Sequence, residues 1–294
     1  MLPVCGFAQK PKPSAGTIIR FENYLSQYVQ PKNIDVWLPP GYVPSKKYAV
    51  LYMQDGQMLF DSTVTWNKQE WKVDETMVAL LQGKSIMDCI VVAIPAAGDA
   101  RVSEYFPRKP VAKLPAQVKD SLLSRELMGK FQSDNYLLFL VKELKPYIDK
   151  QFSTYKDQRH TFIAGSSLGA LISLYAICEY PNIFYGAACL STHWPGSLFQ
   201  SYEEIPLSFI NYLQNHLPDP ENHRIYFDLG NKTLDSSYKR YQRMADKIMK
   251  DEGYKKKSWV TREFPGEDHS ESAWAKRLNI PLLFLLAKEA EEKD

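Results

Sequence analysis

Residues 160–179 read HTFIAGSSLGALISLYAICE. An apolar, strand-like run ends at Ala164, the five residues Gly165-Ser166-Ser167-Leu168-Gly169 follow, and a helix-like run then begins. A Gly-x-Ser-x-Gly between a strand and a helix is typical of a nucleophile elbow, in which a serine hydroxyl is exposed at a sharp turn that glycines make room for. The stretch therefore predicts Ser167 as the nucleophile of a serine hydrolase. The alternative is an ordinary turn in which Ser166 or Ser167 caps the helix.

Two backbone N–H groups are candidates for an oxyanion hole. The helix that starts at the elbow has free N–H groups at its first turn, which makes the Leu168 N–H the first candidate. The second should follow the third strand, where the apolar run 48–53 ends in the turn Gln54-Asp55-Gly56-Gln57-Met58. We expect the N–H of Gln57, or less favourably of Met58, to donate there. A plain Asp-Gly turn is the alternative.

The general base is expected late in the chain, because such hydrolases present serine, then acid, then histidine in sequence order. Of the five histidines, His269 alone follows a late strand-like run, 258–264, and precedes a helix-like run. We assign it as the base; a solvated loop histidine is the alternative. The others lie too early, at 160 and 193, or in a polar loop before the penultimate strand, at 216 and 223.

The acid of the triad is less clearly marked. The strand-like run 224–229 ends at Gly230, and Asp235 stands in the following loop where the acid belongs. Asp235 is the preferred candidate, although an Asp at that place also suits the cap of the next helix. Asp228 is the second choice, and Glu267 or Asp268 are remote third choices. A serine–histidine pair without a tightly bound acid is a further alternative.

Strand and helix patterns alternate along the chain, which indicates a mostly parallel sheet covered by helices. The expected strands are 33–38, 48–53, 89–94, 160–164, 187–191, 224–229 and 258–264, and the expected helices 71–81, 135–150, 168–179, 237–250 and 271–288. Residues 101–131 are the least regular stretch, and we expect a lid there. His193 and Trp194 follow the strand after the elbow, so they are expected to form a pocket wall; core packing is their alternative.

Composition indicates one catalytic domain, over residues 16–294. The chain has 294 residues, 45% of them hydrophobic, and a net charge of only +2, which argues against nucleic acid or an acidic membrane as the main partner. No apolar run is long enough for an integral membrane span. Cys89, Cys178 and Cys189 are expected to be buried small apolar residues rather than disulfide or metal ligands. The oligomeric state is left open.

The first residues resemble the end of a secretory leader. Residues 1–9 read MLPVCGFAQ, with a small-residue cleavage point near Ala8. We interpret residues 1–15 as a signal-peptide remnant and flexible leader, which predicts a secreted or periplasmic protein. If the segment is not such a remnant, a cytoplasmic protein is expected.

Four motifs together resemble one family. They are VLYMQDGQ at 50–57, RVSEYFP at 101–107, the elbow at 165–169, and GEDH at 266–269 followed by Trp274 and Arg277. The set is similar to the esterase-D-like, putative-esterase branch of α/β hydrolases, which contains enterochelin, feruloyl and acetylxylan esterases. The resemblance covers about residues 31–286 and implies an α/β-hydrolase fold with helices on both faces, no cofactor, and Ser167 with His269 as catalytic residues.

These features together predict a serine carboxylic-ester hydrolase acting through an acyl-enzyme on a small-molecule or carbohydrate ester, with feruloyl or acetyl groups as the expected acyl part. A siderophore trilactone esterase is the enzymatic alternative; it would need clustered cationic side chains for its negatively charged substrate. An inactive carbohydrate-binding protein on the same fold is the alternative from another class.

Overall fold

The computed structural model describes residues 9–197, 199 and 202–288 of the chain. Eight strands form one sheet: β1 Thr17–Tyr24, β2 Lys32–Leu38, β3 Ala49–Met53, β4 Cys89–Ala93, β5 Thr161–Ser166, β6 Gly186–Leu190, β7 Arg224–Leu229 and β8 Trp259–Glu263. Their spatial order is β1-β2-β4-β3-β5-β6-β7-β8. The β1–β2 and β2–β4 pairs are antiparallel, and the pairs from β4 to β8 are parallel. The predicted mostly parallel sheet is confirmed.

The first strand is the one element of the sheet that the sequence pattern did not indicate. β1 is an edge strand, and most of its residues are exposed or half-buried. Its faces are largely open to solvent. The strand therefore does not need a continuous apolar run. Ile18 is its one buried side chain.

Within the described residues, ten α-helices accompany the sheet. They are α1 Val73–Gln82, α2 Arg101–Tyr105, α3 Ala116–Arg125, α4 Ser133–Leu138, α5 Lys145–Gln151, α6 Leu168–Glu179, α7 Glu204–His216, α8 Lys239–Asp251, α9 Glu271–Ala275 and α10 Asn279–Leu286. A π-helical turn, Phe139–Leu144, joins α4 to α5 within the predicted helix 135–150. Pro146 has no N–H to donate to the preceding turn, which accounts for the wider turn there.

Two helix predictions need correction. The expected single helix 271–288 is divided between α9 and α10, because Pro281 cannot continue the hydrogen-bond ladder back to Arg277. His216, expected in a loop, is the last residue of α7. That helix is amphipathic, with Ile205, Phe209 and Leu213 buried at a spacing of four residues.

Apolar side chains pack against both faces of the sheet. In β3, Val50 and Tyr52 point to one layer of the core, and Ala49, Leu51 and Met53 point to the other. Helix α6 contributes to the first layer, while α1 and α10 contribute to the second. The predicted helices on both faces are therefore present. The three described cysteines have free thiols and are buried in this core.

Residues just before β1 form hydrogen bonds with the domain. The Lys12 and Ser14 N–H groups donate to the carboxylates of Asp61 and Asp74, and the Trp37 indole donates to the Ala15 carbonyl oxygen at 2.8 Å. Residues 12–15 therefore contact the folded domain, and the assignment of residues 1–15 as a leader stays a prediction. The expected cleavage point at Ala8 lies outside the described residues. Across the described part of the chain, no helix is long and apolar enough to cross a membrane.

The segment 101–131, expected to be a lid, is anchored in the core. It contains α2 and α3 and buries Tyr105, Phe106 and Leu122 completely or nearly so. Only its first residue, Arg101, lines the cavity at the elbow. This packing argues against a lid in which the whole segment 101–131 moves away from the cavity.

Candidate active site

Ser167 stands between β5 and α6 in a strained conformation. Its φ of 56° and ψ of −124° are rare for a residue with a side chain. Two segments of backbone approach each other closely at this turn. A Cβ on Gly165 would lie 2.6 Å from the Gly169 carbonyl group, so the turn requires glycine at position 165. The neighbouring strand holds the turn, since the Ser167 N–H donates to the Leu190 carbonyl oxygen at 3.0 Å. The geometry is that of the elbow that the sequence predicts.

The turn after β3 leaves one N–H group available. The Gly56 N–H donates to the Ile94 carbonyl oxygen at 2.8 Å, and the Met58 N–H donates to the Asp55 carbonyl oxygen at 2.9 Å. No hydrogen bond of the Gln57 N–H is found with the described residues. This favours the Gln57 N–H over the Met58 N–H as the second donor of the oxyanion hole. Leu168 is the first residue of α6, where helix N–H groups lack a partner within the helix.

An ion pair and a tyrosine fix the Asp55 side of this turn. Arg101 binds both carboxylate oxygens of Asp55, from Nε at 2.7 Å and from Nη2 at 2.8 Å. The Tyr105 hydroxyl contacts the Asp55 N–H at 3.2 Å. Asp55 itself has a left-handed conformation, with φ 51°. Arg101 is the first residue of α2, which follows β4, so a second segment of the chain holds the turn in place.

His269 and Asp235 form a short hydrogen bond. The His269 Nδ1 and Asp235 Oδ1 atoms lie 2.6 Å apart, and the Asp235 side chain is fully buried. Burial by itself would raise the pKa of Asp235, but the hydrogen bonds from His269 and Ser191 outweigh it and lower the pKa below its usual value. The carboxylate is therefore ionised at neutral pH, so Nδ1 carries the proton and Nε2 is the basic nitrogen.

The other Asp235 oxygen has two donors of its own. Oδ2 accepts from the Ser191 hydroxyl and from the Gly230 N–H, both at 2.6 Å. The Ser191 oxygen in turn accepts from the Trp274 indole at 3.0 Å and from Arg277 Nη2 at 3.1 Å. The carboxylate is thus held at both oxygens.

The other acid candidates lie in different interactions. Asp228 is buried in an ion pair with Arg277, with contacts of 2.9 and 3.1 Å. Burial raises the pKa of Asp228, and the Arg277 charge works against that rise. Glu267 pairs with Lys276 at 3.0 Å, and Asp268 accepts from the Ser270 hydroxyl. The structure brings Asp235, and none of these three, into contact with the His269 ring.

A cavity of about 550 Å³ opens above the elbow. Ser167 and His269 line it together, along with Gln57 of the oxyanion turn. The remaining lining residues are aromatic, apolar, polar and charged: Asp55, Met58, Trp66, Asn67, Gln69, Trp71, Arg101, Ser166, Ser270, Glu271 and Trp274. Trp66 is 83% exposed at this cavity, whereas Trp71 is buried and packs against Trp274 with ring centroids 5.2 Å apart.

The expected pocket wall of His193 and Trp194 is not found at this cavity. Both side chains are buried, and neither belongs to its lining. Trp194 packs on Phe227, and its indole donates to Gln242 at 3.0 Å. The His193 Nδ1 atom lies 2.6 Å from the Tyr238 hydroxyl oxygen. These residues turn inward because the loop after β6 folds back onto the core, as the 3.2 Å bond from the His193 N–H to the Ser167 carbonyl oxygen shows.

Three residues of the site were missed as site residues in the sequence. Ser191 and Tyr238 carry no local signal, since a serine after a strand and a tyrosine before a helix are common. Arg101 belongs to the RVSEYFP motif of the resemblance, which was available as a signal for a site residue.

Comparison with known proteins agrees with this architecture. A family model described as "Putative esterase" matches residues 27–285. The chain belongs to this esterase family. The membership confirms the family that the four motifs indicated. A curated relative, the uncharacterised protein YjcH of Bacillus subtilis, is 25% identical over 173 residues, 58% of this chain. The match spans 60% of the length of that relative.

Two solved structures share the fold of this esterase-family member. A ferulic acid esterase from Anaeromyces mucronatus is 18% identical with a TM-score of 0.60, covering 95% of this chain and 96% of that one. The enterobactin esterase FES from Shigella flexneri is 17% identical with a TM-score of 0.63, covering 95% of this chain and 61% of that one. At such identities the likeness concerns the fold alone.

Proposed function

We propose that the protein is a serine carboxylic-ester hydrolase that works through an acyl-enzyme. One observation carries the proposal. Ser167, at a strained elbow, lines the same cavity as His269, and the Nδ1 atom of His269 is hydrogen-bonded to the buried carboxylate of Asp235. A serine, an imidazole and an orienting acid, in that chain order, form the arrangement that acyl transfer needs. The family assignment supports the same reaction class.

In the proposed reaction the Ser167 hydroxyl attacks the ester carbonyl carbon. His269 Nε2 accepts the hydroxyl proton, and Asp235 stabilises the imidazolium that results. The Leu168 and Gln57 N–H groups donate to the oxygen that becomes negative in the tetrahedral intermediate. His269 then returns the proton to the leaving alcohol, and a water activated by the same imidazole hydrolyses the acyl-enzyme.

The proposed substrate is a feruloyl or acetyl ester of a carbohydrate. The exposed Trp66 ring suits stacking against a sugar or a phenolic ring. The amides of Asn67 and Gln69 belong to the same lining, although each is engaged by the chain around α9: Asn67 Nδ2 donates to Glu271 at 2.8 Å, and the Gln69 side-chain oxygen accepts from the Ser272 N–H. The lining therefore combines aromatic rings, which can contact an apolar part of a ligand, with polar groups that can orient it.

The charges at the cavity bear on the trilactone alternative. Its one basic lining residue, Arg101, is neutralised by Asp55, and Glu271 adds a further negative charge. A substrate with several negative charges would find no cationic cluster among these lining residues. The charge distribution therefore favours a neutral ester.

We also propose export from the cell, on the leader-like residues before Ala8. N-terminal sequencing of material recovered from the native host tests it: a mature start after Ala8 is expected, and an intact Met1 would contradict export by cleavage.

The function is tested by treating wild type and Ser167→Ala with a fluorophosphonate probe and recording intact mass and p-nitrophenyl acetate turnover on the same samples. We expect one adduct and turnover in wild type, and neither in Ser167→Ala. Ser124→Ala, which removes an exposed hydroxyl on α3, is the control and should resemble wild type. A folded wild type with no adduct and no turnover would favour the carbohydrate-binding alternative. Methyl ferulate, acetylated xylan and a ferric catecholate trilactone then separate the substrate classes.

A further inference from the structure

A groove of about 850 Å³ lies between helix α8 and strand β8, and it shares no lining residue with the cavity at the elbow. All of β8, Trp259–Glu263, lines it. The two faces of this strand pack differently: the Thr261 hydroxyl donates to Asp246 of α8 at 2.7 Å, whereas Val260 packs against the opposite core layer. Since residues of both faces line the groove, it follows the open edge of the sheet.

The main-chain groups on this edge have no partner strand. Among the described residues, β8 is the last strand of the sheet and pairs with β7 alone. The Ser258 carbonyl oxygen accepts from β7 at 2.9 Å, and the Phe264 N–H donates to β7 at 2.8 Å. Main-chain groups of successive residues point to opposite edges of a strand, and the Trp259 N–H accordingly turns away from β7 to the preceding loop. The same alternation directs the N–H and C=O groups of Thr261 and Glu263 toward the groove.

The groove is basic, although the whole chain has a net charge of only +2. One of its two acidic lining residues, Glu263, is paired with Lys239 at 2.6 Å. The other, Asp246, accepts hydrogen bonds from Gln242 and Thr261. Four further cationic side chains line the groove and form no ion pair with a described residue: Arg243, Lys255, Lys256 and Arg262. These charges attract an anionic occupant.

We propose that the groove binds an extended acidic segment of a partner protein as an additional strand on β8. The main chain of such a segment exchanges hydrogen bonds with Thr261 and Glu263, and its carboxylates contact the cations of the groove. A second copy of this chain matches less well, because pairing of two β8 edges would bring like charges together. An acidic polysaccharide matches the charge but has no regular row of N–H and C=O groups. This binding is separate from ester hydrolysis and does not depend on it.

The charge requirement is tested by fluorescence anisotropy with a labelled peptide of about six residues that alternates Glu and Val. Wild type should bind it and should not bind the matched peptide that alternates Lys and Val. Combining Lys255→Glu with Lys256→Glu should raise the Kd about tenfold, because two attractions become repulsions. The control combines Lys113→Glu with Lys130→Glu, two exposed positions outside the groove, and should change the Kd by less than about twofold. Equal Kd values for the two double variants, or no binding to wild type, would overturn the proposal.

The main-chain requirement is tested by Glu263→Pro against Glu263→Ala. Both variants lose the carboxylate, but only proline also removes the N–H, and proline is tolerated where an edge N–H faces away from the sheet. We expect a Kd about fivefold higher for Pro than for Ala, the usual effect of one hydrogen bond. Circular dichroism verifies the fold. Equal Kd values in the two folded variants would contradict strand addition.

A modified peptide covers the case in which Glu263→Pro does not fold. The Glu–Val peptide with N-methyl groups on alternate main-chain nitrogens keeps its charges but cannot form a strand ladder, so its binding to wild type should be lost. Equal binding of the methylated peptide, or binding of oligogalacturonate as tight as that of the unmodified peptide, would show a site for polyanions and overturn strand addition. Sedimentation equilibrium tests the remaining occupant. A wild-type dimer that Glu263→Pro dissociates and Glu263→Ala does not would assign the edge to a second copy, against the proposal.

Discussion

His269 Nδ1 and Asp235 Oδ1 lie 2.6 Å apart, and the carboxylate that makes this bond is fixed at its other oxygen as well. Ser191 and the Gly230 N–H hold Oδ2, so the carboxylate cannot rotate without losing two further bonds. The imidazole is consequently held in one orientation and one tautomer. For a general base this fixed orientation is the main contribution of an acid partner.

Replacing this acid should stop turnover without unfolding the protein. Asp235→Asn retains the shape but lets the imidazole adopt the wrong tautomer, so we expect kcat to fall by roughly 10³- to 10⁴-fold. The measurement is p-nitrophenyl acetate turnover, with circular dichroism to verify the fold.

Asp228→Asn tests which of the two aspartates, Asp235 or Asp228, is the acid of the triad. We expect it to lower the stability of the protein rather than its turnover. It leaves Arg277 buried without its ionic partner, which typically costs about 3–5 kcal/mol. We expect a large decrease in the free energy of unfolding in urea. If Asp228→Asn, measured on its folded fraction, lost as much activity as Asp235→Asn, the assignment of the acid would have to be reversed.

The Arg101–Asp55 pair should matter for catalysis because it holds the turn of the Gln57 N–H. Lysine keeps the charge but cannot bind both carboxylate oxygens in parallel. We therefore expect Arg101→Lys to lower kcat by about tenfold, with a small change in melting temperature. Arg108→Lys is the control, since Arg108 has only a loose exposed contact with Asp134 at 3.8 Å. Equal kcat values for the two variants would show that the pair does not support the turn.

Gly56 should not tolerate a side chain. A Cβ there would lie 2.5 Å from the Ala93 carbonyl carbon and 2.6 Å from the Ile94 nitrogen, and backbone atoms cannot move aside cheaply. We expect Gly56→Ala to displace the Gln57 N–H and to lower kcat by roughly 10²- to 10³-fold, the usual loss for one oxyanion donor. Gly83→Ala is the control, because the atom nearest to its Cβ would be the Ser85 hydroxyl oxygen, at 3.2 Å.

Stability should fall below neutral pH because of His193. Its folded pKa of about 3 lies below the unfolded value of about 6.5, so the unfolded chain binds a proton that the folded protein does not. Between pH 6.5 and 5 this lowers the free energy of unfolding by about 2 kcal/mol. The lowered pKa of Asp235 acts at lower pH, since its stabilisation is lost only as pH falls below about 4.

Urea titrations at pH 6.5 and 5 measure this effect in wild type and His193→Asn. The variant has no imidazole to protonate, so its free energy of unfolding should depend less on pH over this interval. An identical pH dependence in both proteins would contradict the neutral state of His193.

Much of the sheet could be predicted from local patterns. The buried parallel strands β3 and β4 are continuous apolar runs, and helix α6 has the bounds that its sequence indicates. The sequence pattern does not indicate the edge strand β1, because few of its side chains are buried. The predicted single helix 271–288 does not include the break between α9 and α10, although Pro281 is a local signal for it.

Local sequence patterns predict the elbow, the order of Ser167, Asp235 and His269 along the chain, and the class of fold. These depend on backbone conformation and on hydrophobic periodicity, which neighbouring residues largely specify. Three features come from the tertiary packing: the acid that reaches His269, the burial of His193 and Trp194 in the core, and the edge-on contact of the Tyr238 ring with His269. Such contacts join loops that are distant in sequence, and their side-chain directions follow from how the loops pack together.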